Sequence, residues 1–155
     1  MLTRRRGASV ADAAPAFAGG RPVMLATIEV PFEEEAIRVA VDSAVESGQP
    51  LLCVNVREIP LGWMVTQGYG DVDDSADDAA ALRAPAELAA ALGVRVERLR
   101  VKTPHPVDAL CETVAEREPG LLVFGPDRGR LKPRRYRKAA KAIRERVACL
   151  VWLPD

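Results

Sequence analysis

Two hydrophobic patterns alternate along this chain. Short, nearly continuous apolar runs occur at Val23 to Glu29, Leu51 to Val56, Leu121 to Phe124 and Ala148 to Leu153, and the spaced apolar residues Val94, Val96, Leu99 and Val101 mark one further strand. Runs of this length read as strands buried on both faces of a sheet. Between them the apolar residues recur with a helical period. Ala36, Ile37, Ala40, Val41, Ala44 and Val45 form one such stripe, and Ala139, Ala140, Ile143 and Val147 another. Helices are expected from Glu33-Glu34-Glu35 to Gly48, from about Ser75 to Leu92, from Pro106 to Arg117 and from about Arg135 to Arg146.

Local punctuation agrees with those bounds. The three glutamates favour the positive end of a helix dipole, and Gly48 and Gly93 are natural helix stops. Ser75 is a suitable N-cap and Pro106 a suitable first helical residue. Pro85 lies inside the second helix and predicts a kink or a split there. Strand and helix alternate throughout, which predicts a single-domain, doubly wound α/β fold with a parallel sheet and right-handed crossovers. Residues 1–20 are rich in Ala, Gly and Arg without a sustained period, and read as a disordered leader before a domain at 21–155.

Composition adds limits. A chain of 155 residues, 48% hydrophobic and 28% charged, is globular and of single-domain size. Its formal net charge of zero gives no global pull toward nucleic acid or membranes. Locally the balance differs: residues 125–149 carry ten Lys and Arg against Asp127 and Glu145, a net of +8. Asp71, Asp73, Asp74, Asp77 and Asp78 form an acidic counter-cluster. Three widely spaced cysteines suit neither a disulfide framework nor a zinc site and point to the reducing cytoplasm. Cys53 and Cys149 read as buried apolar fillers. No apolar stretch reaches the roughly 18 residues of a membrane span, and no apolar segment follows the basic start Met1 to Arg6.

The candidate chemistry lies at strand ends. Ligands of open parallel sheets bind outside the carboxyl ends of the strands, where strand order reverses. The loops after strands one and four hold Glu29 and Gly125-Pro126-Asp127-Arg128-Gly129-Arg130. The glycines are either ligand-approach positions or plain turn residues. The basic run 128–146 is first a solvated helix face and second a surface for a polyanion or nucleic acid. His105, between two prolines, reads as a capping or loop residue, since a lone histidine makes no metal site. The long loop 57–75 carries Trp63, Met64 and Tyr69, which either meet a ligand or protein partner or cover strand edges.

From Val23 to Pro154 the chain resembles the universal stress protein family. The likeness rests on element order, an acid ending strand one, the Phe124-Gly125 strand exit, Gly129-Arg130, and a chain that stops just after strand five. The resemblance implies a Rossmann-like, adenine-nucleotide-hydrolase-like fold with strand order 3-2-1-4-5. It also implies a homodimer formed through the C-terminal strand region, and ATP as the possible cofactor. The family's ATP motif is Gly-x-x-Gly, nine residues, then Gly-Ser or Gly-Thr, with an Asp after strand one and a Val ending strand two. Carried over, these positions fall on Glu29, Val56, Gly125, Arg128, Gly129, Arg130, Arg137 and Lys138. Glu29 replaces the Asp, the second glycine is displaced to Gly129, and Arg137-Lys138 replace Gly-Ser. The implied function is a cytoplasmic stress-family regulatory or binding module with weak or absent ATP binding, at most a slow ATPase. The alternatives are a nucleotide binder with a modified basic phosphate site, and a polyanion binder through the basic helix. Restoring Gly-Ser at 137–138 is expected, on this reading, to improve nucleotide binding.

Overall fold

A computed structural model describes residues 20–62 and 76–155. The leader up to residue 19, the loop residues Trp63, Met64 and Tyr69, the Ser75 cap and the aspartate side chains of the 71–78 cluster lie outside the described residues.

The element order is β1 (Val23–Ile28), α1 (Glu34–Ser47), β2 (Leu51–Glu58), α2 (Ala76–Ala91), β3 (Val96–Thr103), α3 (Pro106–Arg117), β4 (Leu121–Phe124), α4 (Pro133–Arg146) and β5 (Leu150–Trp152). The strands form one parallel sheet in the order β3-β2-β1-β4-β5. β1 is central, which explains why all six of its residues are buried. Side-chain alternation sorts the core into two layers. Met24, Ala26, Leu52, Val54 and Phe124 pack with Leu110 and Val114 of α3 and Ala139 and Ile143 of α4. Leu25, Leu51, Cys53 and Val123 pack on the other face with Ala36, Ala40 and Val41 of α1 and Leu82 and Ala89 of α2. Thr27 and Asn55 stand side by side in the β1–β2 register, the polar exceptions in these two buried runs.

Four elements depart from the sequence expectation by two residues at an end, and one expected break is missing. β3 runs Val96–Thr103 rather than 94–101. β2 continues past Val56 through Arg57 and Glu58, because β3 keeps pairing with it as far as Thr103. β5 covers only Leu150–Trp152 rather than 148–153, since its one neighbour β4 offers a short ladder. α2 runs unbroken through Pro85, which is buried. α4 begins at Pro133, a proline placed at the first turn.

A two-pronged ion pair ties α3 to the β3 edge. The Arg117 guanidinium donates to both carboxylate oxygens of Glu97, at 2.9 and 2.7 Å. All three thiols are unpaired, and burial pushes the Cys53 thiol up to about 12, so it stays protonated and inert.

Candidate functional site

The carboxyl ends of β1, β2 and β4 converge where the strand order reverses. Glu29 follows β1 in the left-handed region, at φ 70°, which a residue with a side chain occupies only under constraint. Two contacts supply the constraint. Its N–H donates to the Val56 carbonyl at 2.9 Å, and its carboxylate accepts the Glu58 N–H. The side chain is thereby folded back onto β2. Burial raises the Glu29 pKa, opposed by the Glu58 N–H and by the Arg135 and Arg57 charges. A folded pKa above the unfolded value favours the neutral form, so this stabilising contribution is complete below the ordinary glutamate range and lost as pH rises through the raised value. Glu29→Gln keeps the acceptor and removes the charge. Its melting temperature should exceed that of the natural chain at neutral pH, and the gap should close in acid. A gap independent of pH would contradict this.

The glycine loop after β4 is closed on itself. Gly125 donates to Ala26 at 3.0 Å and accepts from the Glu33 N–H at 2.9 Å. The Asp127 N–H donates to Pro31, and the Asp127 carbonyl accepts from Arg130 and Leu131. The Gly129 N–H donates to the Asp127 side chain at 3.0 Å, an Asx turn. A β-bridge between Phe32 and Pro126 locks this loop to the one after β1. Gly125 faces the helix, not open space: a Cβ there would meet the Ala36 Cβ at 2.0 Å.

Arg128 is a fastener. It donates to Glu33 at 3.1 Å and to the Asp155 backbone carbonyl, and it lies 5.7 Å from the Tyr136 ring centroid. Tyr136 stacks on Phe124 with centroids 6.0 Å apart and donates to the Pro154 carbonyl at 3.2 Å. Arg128→Ala should therefore cost roughly 1–2 kcal/mol of stability, read by chemical denaturation. An unchanged midpoint would show that the fastener is slack.

Nine residues counted from Gly125-Pro126-Asp127-Arg128 place the motif's late pair on Lys138-Ala139, one residue beyond the expected Arg137-Lys138, and neither pair starts the helix. α4 opens at Pro133 and the Tyr136 N–H already donates to the Lys132 carbonyl, so the N–H groups of 137 and 138 belong to the helical ladder. Val56 is fully buried, and its carbonyl accepts the Glu29 N–H.

The open space lies beside the glycine loop. A cavity of about 490 Å³ sits between α3 and α4 at the strand ends, within the size range of ligand sites. Ile28 and Glu58 line it from the ends of β1 and β2, His105 and Asp108 from the N-cap and first turn of α3, and Arg134, Arg135, Lys138 and Arg146 from α4. Glu58 is held by Arg135 and Asp108 by Arg146, each at 2.7 Å. Arg134 and Lys138 form no ion pair with a described residue. They stand four residues apart, a like-charge pair near the positive end of the helix dipole, with no acid in the first turn. An anion in the cavity would relieve that repulsion. Of the ligand positions carried over from the family motif, Lys138 alone lines this space; His105, read as a loop residue, and Arg134, Arg135 and Arg146, read as part of the basic run 128–146, join it, and Glu58 and Asp108 were missed. The position of Glu58 at a strand exit is the available signal, hidden because the apolar run stops at Val56 while the strand continues to Glu58. Among the described residues no group of His, Cys, Asp and Glu is arranged to hold a metal ion.

The sheet order, with a cavity at the carboxyl ends of its strands, defines a doubly wound α/β domain. The chain belongs to the universal stress protein family, whose sequence model matches residues 20–153. Its fold is similar to the universal stress protein from Archaeoglobus fulgidus in complex with dAMP, with a TM-score of 0.61, 17% identity, and coverage of 86% of this chain and 97% of that one. A universal stress protein in complex with cAMP gives a TM-score of 0.57 at 19% identity, covering 86% and 96%. A family protein from Arabidopsis thaliana with AMP bound gives 0.52 at 15% identity, covering 85% and 90%. Among curated proteins nothing matches this chain. No helix among the described residues is long and apolar enough to cross a membrane.

Proposed function

We propose that this chain is a non-enzymatic binding module of the stress family whose α3–α4 cavity takes a small phosphate-bearing ligand, with ATP held weakly or not at all. The observation that carries this reading is the cavity itself, lined by four cations against two carboxylates that are already paired. Side-chain cations replace the backbone cradle, because the Gly125, Asp127, Gly129 and Arg130 amides are bonded within the protein. A ligand with one phosphate suits the two unpaired cations Arg134 and Lys138 better than a triphosphate that needs a loop to wrap it. The relatives solved with dAMP, cAMP and AMP support the ligand class. A cytoplasmic setting is part of the same reading and accords with three unpaired thiols.

Titration calorimetry with AMP and ATP tests it. Saturable AMP binding, with ATP no tighter, is the expected result. Tight ATP binding would instead favour the alternative in which Arg128, Arg130, Arg137 and Lys138 make a basic phosphate site. No binding of either would leave a module that works through protein contacts alone.

The same reading includes a homodimer through β5. This edge strand exposes Leu150 at 74%, and a bare apolar edge is a pairing surface. Light scattering that finds only monomer at micromolar concentration would count against it.

A further inference from the structure

We infer that the outer face of α4 and the loop before it dock double-helical nucleic acid through its phosphate backbone, without reading sequence. Arg130, Lys132, Arg137, Lys141 and Arg144 are exposed, and none of them lines the α3–α4 cavity. Arg137, Lys141 and Arg144 are spaced i, i+4 and i+7, so they share one side of the helix over roughly 10 Å. That side lies away from the buried Ala139, Ala140 and Ile143. Among the described residues the ion pairing of these five is slight: Lys141 approaches Glu145 at 3.7 Å, with both side chains mostly in solvent.

The arrangement works against the fold. Lys132 caps the positive end of the dipole of a helix whose first turn has no acid, and Arg137 and Lys141 repel one another across a turn. The chain has 22 acidic residues to match its 22 basic ones, so the concentration of cations on this face is one of placement and not of overall charge. An external polyanion accounts for the placement.

The neighbouring chemistry selects the polyanion. A membrane-surface helix inserts an apolar face, but the apolar face of α4 is occupied by the core. A single strand needs aromatic platforms for its bases. Tyr136, the aromatic of this helix, is pinned between Phe124 and Arg128 with its hydroxyl on Pro154. What remains is a row of point charges and guanidinium forks, which suits regularly spaced phosphates on a duplex.

Fluorescence anisotropy with a labelled mixed-sequence DNA duplex, and with the matching RNA duplex, tests the inference on the full chain. With about five phosphate contacts, the logarithm of the binding constant should fall with the logarithm of salt at a slope of about −4 to −5. Arg137→Gln with Lys141→Gln and Arg144→Gln should reduce that slope by about 3 and weaken binding at least tenfold at low salt. The smaller pair Lys141→Gln and Arg144→Gln should reduce it by about 2. Thermal melting should show every variant folded and no less stable than the natural chain. Arg38→Gln with Arg83→Gln removes exposed cations from α1 and α2 on the opposite face and should leave binding unchanged. DNA and RNA arms that bind alike indicate readout of the backbone, and a preference for one names the source. The inference is overturned by absence of duplex binding, by an unchanged slope in the α4 variants, by equal loss in the α1–α2 control, or by retention on phosphatidylserine vesicles without retention on duplex.

Discussion

Gly125→Ala is expected to lower the melting temperature by roughly 5–10 °C, a large effect for the addition of one methyl group. The new Cβ would stand 2.0 Å from the Ala36 Cβ and 3.5 Å from its Cα. Ala36 is fully buried on α1 and faces the sheet. Neither side can step back cheaply. Gly125 is bonded through its N–H to Ala26 and through its carbonyl to Glu33, so moving the strand exit or the start of α1 breaks one of these bonds. Gly125 is not among the residues with positive φ, so the penalty is one of packing alone. Overpacking a core costs about 1–3 kcal/mol, and this site belongs at the upper end because helix and strand are both anchored. Adding Ala36→Gly should restore much of the loss, although a helical glycine itself costs about 1 kcal/mol. Calorimetric scanning of the two single variants and the double variant checks the coupling. A Gly125→Ala chain melting within about 2 °C of the natural one would mean that α1 is not seated against β4 as described.

That glycine shows where sequence reading stops. Elements with sharp punctuation were legible: Pro106–Arg117 and Leu121–Phe124 were expected at their observed bounds, because Pro106 and Gly125 interrupt the pattern at those points. The strand order followed from the family resemblance and holds in the structure. Hydrophobic period failed where strand backbone continues without apolar side chains, as at Arg57 and Glu58, where pairing with β3 decides. It failed again at α4, whose first turn is basic and gives no apolar signal. A missing side chain at Gly125 is compatible with a ligand or with a neighbouring helix. Only the position of Ala36, set by how α1 crosses the sheet, distinguishes them. The cavity was less legible still, because its charged residues come from β2, α3 and α4 and its balance depends on which carboxylates are already paired.

Putting glycine and serine at 137–138 is expected to weaken the protein and its ligand binding together, the opposite of what the family motif alone suggests. The motif places Gly-Ser where backbone N–H groups are free to meet phosphate. In this chain α4 starts earlier, at Pro133, and positions 137 and 138 already donate into the helix. Glycine would cost the helix interior about 1 kcal/mol and serine about 0.5, offset by a few tenths from relieved repulsion between Arg134 and Lys138 and between Arg137 and Lys141. A net loss of about 1 kcal/mol should appear as a melting temperature lower by about 2–4 °C. Binding should suffer separately. Lys138 lines the cavity and Arg137 does not. Removing one charge-assisted contact of roughly 1.5 kcal/mol lowers AMP affinity about tenfold. The single variants divide the two effects: Arg137→Gly should lower stability with affinity kept, and Lys138→Ser should lower affinity with a smaller loss of stability. Calorimetry and thermal melting on the same samples make the comparison. If the double variant instead binds ATP more tightly, the first turn of α4 must unwind to free the N–H groups of 137 and 138. The basic turn from Lys132 to Tyr136 would then be a plug over a latent cradle, held in place by the Arg135–Glu58 pair.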